Sequence, residues 1–549
     1  MNKNKYITVL IALFAIAVTS CDKFLDVLPD KRAEINSQDK IRDLLVSAYN
    51  TNTYLTFAEY MSDNVENLGD DVAGRARIYD QMYSWAPITD TDNDDPKSFW
   101  ENCYYSIAHA NMALEAIEEL GGVEATGMYA EMAEALVCRA YAHFMLVNVF
   151  CQNYNAQTSY TDLGVPYMTW TETELKPHYD RGTVAEVYQH IDDDLQAALP
   201  YISDSYYKVP KYHFNPKAAY AFAARFYLFY EKWDKAAEYA TKCLGSQPGS
   251  VLRDWEARGK LVSDEDVLCN DFIRADQNCN LLLLTAYTQV GWYFVYAGAP
   301  KYSHTTYIAA TETCFAKNVW GNTDIGWGNT SNYYYDAPDQ RVGSGCSQIT
   351  FNKIPYLFEY TDPVAGIGFA HTVLPAFTTD EVLLNRAEAY ILMGEYNLAC
   401  DDLNTWVHNV IKTSKFNGTL TPDSIKSFYD AMPYAKWDNY DKKTREIQNN
   451  IKKKLNPKFE IPSDRYAEPM LQCVLQFKRI ENICQGLRWF DIKRYGIEIW
   501  RRTLVPDASN PFGYSPLRCD DVLRVDDPRR AVQIPQDVIS AGLQPNPRD

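Results

Sequence analysis

Ala387-Glu388-Ala389-Tyr390-Ile391-Leu392-Met393-Gly394-Glu395-Tyr396-Asn397-Leu398-Ala399 reads as a helix, a tight turn and the start of a second helix. Gly394 marks the turn, because glycine enters left-handed backbone without steric cost. An earlier stretch repeats the pattern. Ala224, Tyr227, Trp233, Ala236 and Cys243 are spaced as Ala387, Tyr390, Tyr396, Ala399 and Trp406 are, by three, six, three and seven residues. Small residues recur where two helices approach, and an aromatic fills the turn.

Helical hairpins stacked on their neighbours are the logic of tetratricopeptide (TPR) repeats. Arg139-Ala140 matches Arg386-Ala387, so the helix predicted over 128–150 is a third, degraded copy whose partner helix is displaced by an insertion. Apolar spacing of three and four predicts further helices over 37–49, capped by Ser37, and over 99–120, stopped by Gly121-Gly122. Helices are also predicted over 184–199 and 474–497. In the former, Asp192-Asp193-Asp194 reads as a water-facing charge run; in the latter, Arg488, Asp491 and Arg494 read as an ion-pair ladder. The expected fold is mainly α: a TPR-like scaffold with a large irregular, minor-β insertion lobe. The expected layout is 1–20 leader, 21–244 helical part, 245–375 aromatic-rich lobe, and 376–549 second hairpin and extended tail.

The leader has two lysines, Lys3 and Lys5, then an apolar run over 7–18 broken only by Thr8, then Thr19-Ser20-Cys21. That is a secretory signal, too short for the ~20 apolar residues of a membrane span. Val18 three positions before Cys21 makes the junction resemble a bacterial lipobox, which implies cleavage before Cys21 and acylation of that residue. Several acyl chains would hold the protein on a membrane. The formal net charge of −19 is wrong for gripping a phosphate backbone. Of the 13 cysteines none forms a CxxC pair, and a chain this long needs no disulfide staples. Most are expected to be buried thiols, with Cys269 and Cys279 the best placed for a disulfide if one forms. No HExxH, GxSxG or Walker loop is present, which argues against an enzyme. No cofactor is expected.

Tyrosine is abundant, at 41 residues, more than a helical core requires. The 245–375 lobe holds Trp292, Tyr293, Tyr296, Tyr302, Tyr307, Trp320, Trp327, Tyr333, Tyr334 and Tyr335 among turn-forming residues. One reading makes them the lobe's own core. The favoured one places at least two at the surface, because Trp320-Gly321-Asn322 and Trp327-Gly328-Asn329 sit in turns. Trp85, Trp320, Trp327 and Tyr333 are the candidate stacking residues, with Asn93 and Asn329 as polar partners. Asp90, Asp92 and Asp94 have the spacing of a calcium loop, with Glu101 at position twelve, but Asp95 stands where the sharp turn needs glycine, so no metal is assigned.

Five stretches together resemble the SusD/RagB family of surface lipoproteins: Cys21 to Asp26, Arg139 to Asn148 leading to Asp162 to Pro166, Ala387 to Tyr390, Gly486 to Gly496, and Ile534-Pro535-Gln536. Cys484-Gln485 departs from the family pattern, which has an aromatic and Glu there. The resemblance implies a non-catalytic receptor, anchored outside the outer membrane through Cys21. Such a receptor acts as a lid on a SusC-like TonB-dependent transporter and captures glycan fragments or, in some members, peptides. It carries over no ligand residue.

Overall fold

The computed structural model describes residues 35–69, 76–174, 178–296, 300–321, 332–334, 339–343, 346–436, 450–506 and 514–548. The leader, Cys21 and the following strap lie outside these residues, as do Trp327, Asn329 and Tyr335.

Helices dominate. In chain order they are α1 (Gln38–Leu45), α2 (Leu55–Met61), α3 (Arg77–Tyr83), α4 (Pro96–Glu119), α5 (Tyr129–Phe150), α6 (Val184–Ala198), α7 (Pro216–Phe229) and α8 (Trp233–Leu244). After the lobe come α9 (Thr379–Leu392), α10 (Tyr396–Val410), α11 (Ala467–Glu481), α12 (Leu487–Arg494) and α13 (Gln536–Ser540). Their starts follow from capping chemistry. Ser37, Asp95, Asn215 and Thr378 each accept a hydrogen bond from an otherwise orphaned amide in the first turn, and Thr183 forms a full capping box with Glu186.

The repeat is real. α7 pairs with α8, α9 with α10, and α8 packs on α9. Gly394 takes φ 79° at its turn, and Glu231, at the matching position of the other copy, takes φ 60°. Both turns close with the same hydrogen bond, Glu395 N to Tyr390 O at 2.8 Å and Lys232 N to Tyr227 O at 2.9 Å. The third copy has α6 as its displaced partner. A buried Arg→Asp clamp repeats between the paired helices, Arg386 to Asp402 (2.7 and 2.9 Å) and Arg139 to Asp194 (2.6 and 2.8 Å). Asp194 is therefore buried, and so is Asp192, which accepts from Lys232 at 2.7 Å and from the Tyr227 hydroxyl at 2.6 Å. Two of the three aspartates expected to face water are tie points between helices.

The helix expected over 474–497 is two helices. Cys484 and Gly486 have positive φ, and the buried Glu59 carboxylate of α2 accepts both of their amides at 3.0 Å. The ladder is also redirected. Arg494 does approach Asp491 at 3.6 Å, but Arg488 reaches Asp63 through two 2.9 Å bonds. Asp63 belongs to a buried network in which Arg479, Lys453 and Arg502 all pair with Glu312, and Arg502 also pairs with Glu66.

Strands occur within the lobe and at three segments outside it. β1 (Glu66–Asn67), β2 (Asn280–Ala286), β3 (Tyr302–Ser303), β4 (Asp339–Gly343), β5 (Cys346–Thr350), β6 (Leu357–Asp362), β7 (Ile367–Thr378), β8 (Ile499–Pro506) and β9 (Tyr514–Leu523) form three small sheets. One, ordered β2-β7-β6, is antiparallel throughout, with Leu284 opposite Leu374 and Phe358 opposite Ala370. Another, ordered β3-β1-β8-β9, draws the start, middle and end of the chain together, and β4 pairs with β5. Cys269 and Cys279 are both free and buried, so the disulfide considered for them is not formed.

Candidate functional site

β2 ends where three loops meet, and the meeting point builds an aromatic platform. Tyr287 N donates to Thr51 O at 2.8 Å. Asp94, buried at the start of α4, accepts from the Thr288 hydroxyl and from Gln289 N (2.9 Å). Burial pushes its carboxyl up to about 6, against which those two hydrogen bonds work. The chain then enters a short π-helical turn, Trp292–Tyr296, a local geometry that re-aims side chains at functional sites. Gly291 immediately before it lies so close to Pro355 that a Cβ would meet the Pro355 carbonyl oxygen at 2.5 Å. Only glycine lets the turn sit against the loop leading into β6.

Separate groups of rings surround this junction and the β6–β7 hairpin beside it, with Phe369, opposite Glu359, on the other face of the hairpin from Phe358 and Tyr360. Trp292 is 46 % exposed, with its ring centre 5.6 Å from that of Tyr356, and Tyr296 flanks Tyr356 at 6.5 Å. Tyr287, 42 % exposed, packs edge-on against Phe369 at 5.0 Å. Phe358 and Tyr360, two apart on β6 and so on one face, are exposed beside each other at 4.9 Å. Polar groups stand around the rings. The Tyr293 hydroxyl donates to Gln289 Oε1 at 3.0 Å, and the Tyr296 hydroxyl donates to Asp266 at 2.6 Å. Asn93 is exposed at the same junction, its carbonyl accepting from Asn52 Nδ2 at 3.1 Å. Flat, half-exposed rings with a carboxylate and amide rim can stack on C–H faces and bond to hydroxyls.

Of the candidate stacking and polar residues that the structure describes, Asn93 alone reaches this surface, where it joins the lobe aromatics Trp292, Tyr293 and Tyr296. Trp85 is 2 % exposed; its indole donates to Met61 O at 2.9 Å and lies 4.2 Å from the Arg501 guanidinium. Trp320 and Tyr333 are buried as well. The Trp320 ring packs against Phe477 at 5.5 Å and Trp406 at 6.3 Å, and Tyr333 donates to Cys314 O at 2.9 Å. The turn carrying Trp320 is pressed onto α10 and α11, which is why an indole there joins the core. Of the ten lobe aromatics only Trp292 is exposed among those described. Tyr287, Tyr356, Phe358 and Tyr360 escaped notice; the i, i+2 aromatic pair on β6 was the signal for the last two. The acidic run is engaged within the protein. Asp95 caps α4, Asp94 is spent on Thr288 and Gln289, and no metal-holding cluster occurs among the described residues.

Residues 23–228 match the SusD-like family described as "starch-binding associating with outer membrane". No curated protein matches the chain in sequence. Among solved structures, a protein from Bacteroides vulgatus named for sugar binding is 18 % identical, with a TM-score of 0.60, over 93 % of this chain and 99 % of that one. A SusD superfamily protein from Bacteroides thetaiotaomicron is 17 % identical at a TM-score of 0.57, again over 93 % and 99 %. A SusD-like carbohydrate-binding protein from Bacteroides vulgatus is 15 % identical at 0.56, over 92 % and 96 %. The fold is thus that of the SusD superfamily along nearly the whole chain. The sequence match to the SusD-like family is confined to residues 23–228, and the structural likeness extends that fold to the rest of the chain.

Proposed function

We propose that this protein is a carbohydrate-binding receptor, held outside the outer membrane by acylated Cys21, that captures oligosaccharide fragments and passes them to a SusC-like TonB-dependent transporter. The platform around Trp292 carries the reading: half-exposed rings with a polar rim, held by Asp94 and by the close approach at Gly291. The family description and the sugar-binding names of structural neighbours support the ligand class. Trp292 presents roughly half of the ~250 Å² a tryptophan can bury, and a sugar ring covers one face of that. At ~25 cal/mol per Å² this is worth about 1.5 kcal/mol, or about tenfold in affinity.

Calorimetric titration of the protein with maltoheptaose, then with a panel of other soluble oligosaccharides and mixed oligopeptides, tests the reading. Binding of at least one glycan, weakened about tenfold by Trp292→Ala and untouched by substitutions at Trp170, is the expected result. Binding of peptides alone would instead make the protein an oligopeptide receptor of the RagB type.

A further inference from the structure

A second concavity opens further along α4, whose start adjoins the platform's Asp94 anchor. It is a cleft of about 430 Å³ with three walls. α4 supplies Trp100 and Tyr104, the segment after α5 supplies Met168 and Trp170, and the tail supplies Val538 and Leu543. The tail wall is fixed in place. Lys97 on α4 bridges to Asp537 at 3.0 Å, and buried Asn546 donates to Phe150 O and Val532 O. Trp170 stands at the mouth, 51 % exposed.

Two polar side chains of the cleft, Asn111 and Tyr104, are already engaged, while His178 and Tyr179 also line it. Asn111 Nδ2 donates to Met168 O and Trp170 O at 3.1 and 3.0 Å, and its Oδ1 accepts from Arg139 at 2.9 Å. The Tyr104 hydroxyl donates to Pro166 O at 3.0 Å. A sugar hydroxyl facing Asn111 or Tyr104 here would be stranded, at a cost of ~1–3 kcal/mol. An apolar side chain would lose nothing. The rim, by contrast, is acidic. Glu101 and Glu172 line the mouth, and Glu115 stands beside it, accepting from Thr171 N at 2.7 Å. Lys97 divides its charge between Glu101 and Asp537, and among the described residues no basic side chain pairs with Glu172. A second copy of this chain, at a net charge of −19, would be repelled.

We infer that this cleft is a docking site for a protein partner, which inserts large apolar side chains of a segment flanked by lysine or arginine. The volume suits two such side chains, and an aromatic or aliphatic anchor in a pocket with a charged rim is how most interface energy is concentrated. The inference stands apart from the glycan platform, since the two surfaces share no residue.

The test uses the full chain in lipid nanodiscs and a fluorescein-labelled synthetic hexapeptide with a central phenylalanine–leucine pair between lysines, followed by anisotropy. Saturable binding is expected, falling about tenfold or more with Trp170→Ala and with Glu172→Lys, and unchanged by Trp292→Ala. Trp170 and Glu172 are exposed, so neither change threatens the fold, and matched circular-dichroism melts verify that. The inference is overturned if no binding occurs up to millimolar peptide. It is equally overturned if a version with glutamates in place of the lysines binds as well, if Trp170→Ala changes nothing, or if maltoheptaose or a monoacylglycerol displaces the peptide. No sugar binding by the parent protein, or sugar binding that Trp292→Ala leaves unchanged, with the peptide result intact would sink the glycan reading alone.

Discussion

Glu231 is the odd residue in the repeat, and replacing it with glycine should stabilise the protein at alkaline but not at acidic pH. The two helical turns are matched in their hydrogen bonds, yet one uses Gly394 and the other a side chain at φ 60°. Left-handed backbone costs an L-residue ~1–2 kcal/mol, which Glu231→Gly relieves, less the ~0.5–1 kcal/mol of extra unfolded-state freedom glycine brings. The carboxyl adds a second term. Burial pushes it up to about 7, offset in part by the Ala156 amide and Arg494, and its Oε1 has no partner in the protein. An acid whose folded pKa is raised binds more protons folded than unfolded between its ordinary 4.5 and 7. Stability therefore falls as pH rises through that window and stays low above it. The full shift would be worth ~3 kcal/mol; with part of the group in water, ~1 kcal/mol is a fair share. Removing the side chain also gives up the hydrogen bond from Ala156, ~1 kcal/mol at any pH. The balance is a gain of about 1 kcal/mol at pH 8 and about none at pH 4, read by urea unfolding followed by circular dichroism. Glu231→Gln, which keeps the strained backbone and loses only the charge, should show the same pH dependence. A glycine variant less stable than the parent at pH 8, or equally affected at both pH values, refutes the reasoning.

Asp63→Asn should cost ~3–5 kcal/mol, because it leaves Arg488 and Arg479 buried beside a neutral group. The same two guanidinium groups hold the Asp63 carboxyl well below its ordinary range despite burial. Its contribution is thus complete above pH ~4 and fades as acid protonates it, so parent and variant should converge in stability only in strong acid. Trp85→Ala should lower stability by ~3–5 kcal/mol while leaving ligand affinity per folded molecule unchanged, which thermal melts and calorimetry separate. Cys269→Ser and Cys279→Ser should leave non-reducing gel mobility as it is, since both thiols are free.

The helical scaffold was legible because its signals are local. A capping residue, a run of three-and-four spacing and a turn glycine all act within a few residues, and the helix start at Ser37 follows from them, whereas the cap at Asp95 starts α4 three residues ahead of the expected 99. What escaped were features set by distant partners. Nothing near Cys484 announces that Glu59, more than 400 positions earlier, will take its amide and break the helix. Asp192-Asp193-Asp194 looks like a solvated run until Arg139 and Lys232 arrive from other helices. The TPR turn was legible in one copy through Gly394 and hidden in the other, where Glu231 adopts the same backbone without the composition that signals it.

The aromatic lobe shows why composition did not tell which of its rings would be exposed. An indole in a turn is exposed only if nothing packs over that turn. The Trp320 turn lies on α10 and α11, so its ring completes a stack with Trp406 and Phe477. The Trp292 turn is backed by the loop into β6 at Gly291 and by Asp94, and its indole is half-exposed among the described residues. Both rings come from glycine-containing turns of one insertion, and the sequence around them differs little in character. The distinction lies in which side of the turn the scaffold covers. Glycine at 291 decides it for Trp292: by letting the backbone close onto Pro355, it turns the next side chain outward. Gly291→Ala should then force that segment away from Pro355 and lower ligand affinity at least as much as Trp292→Ala does, although no ring is lost.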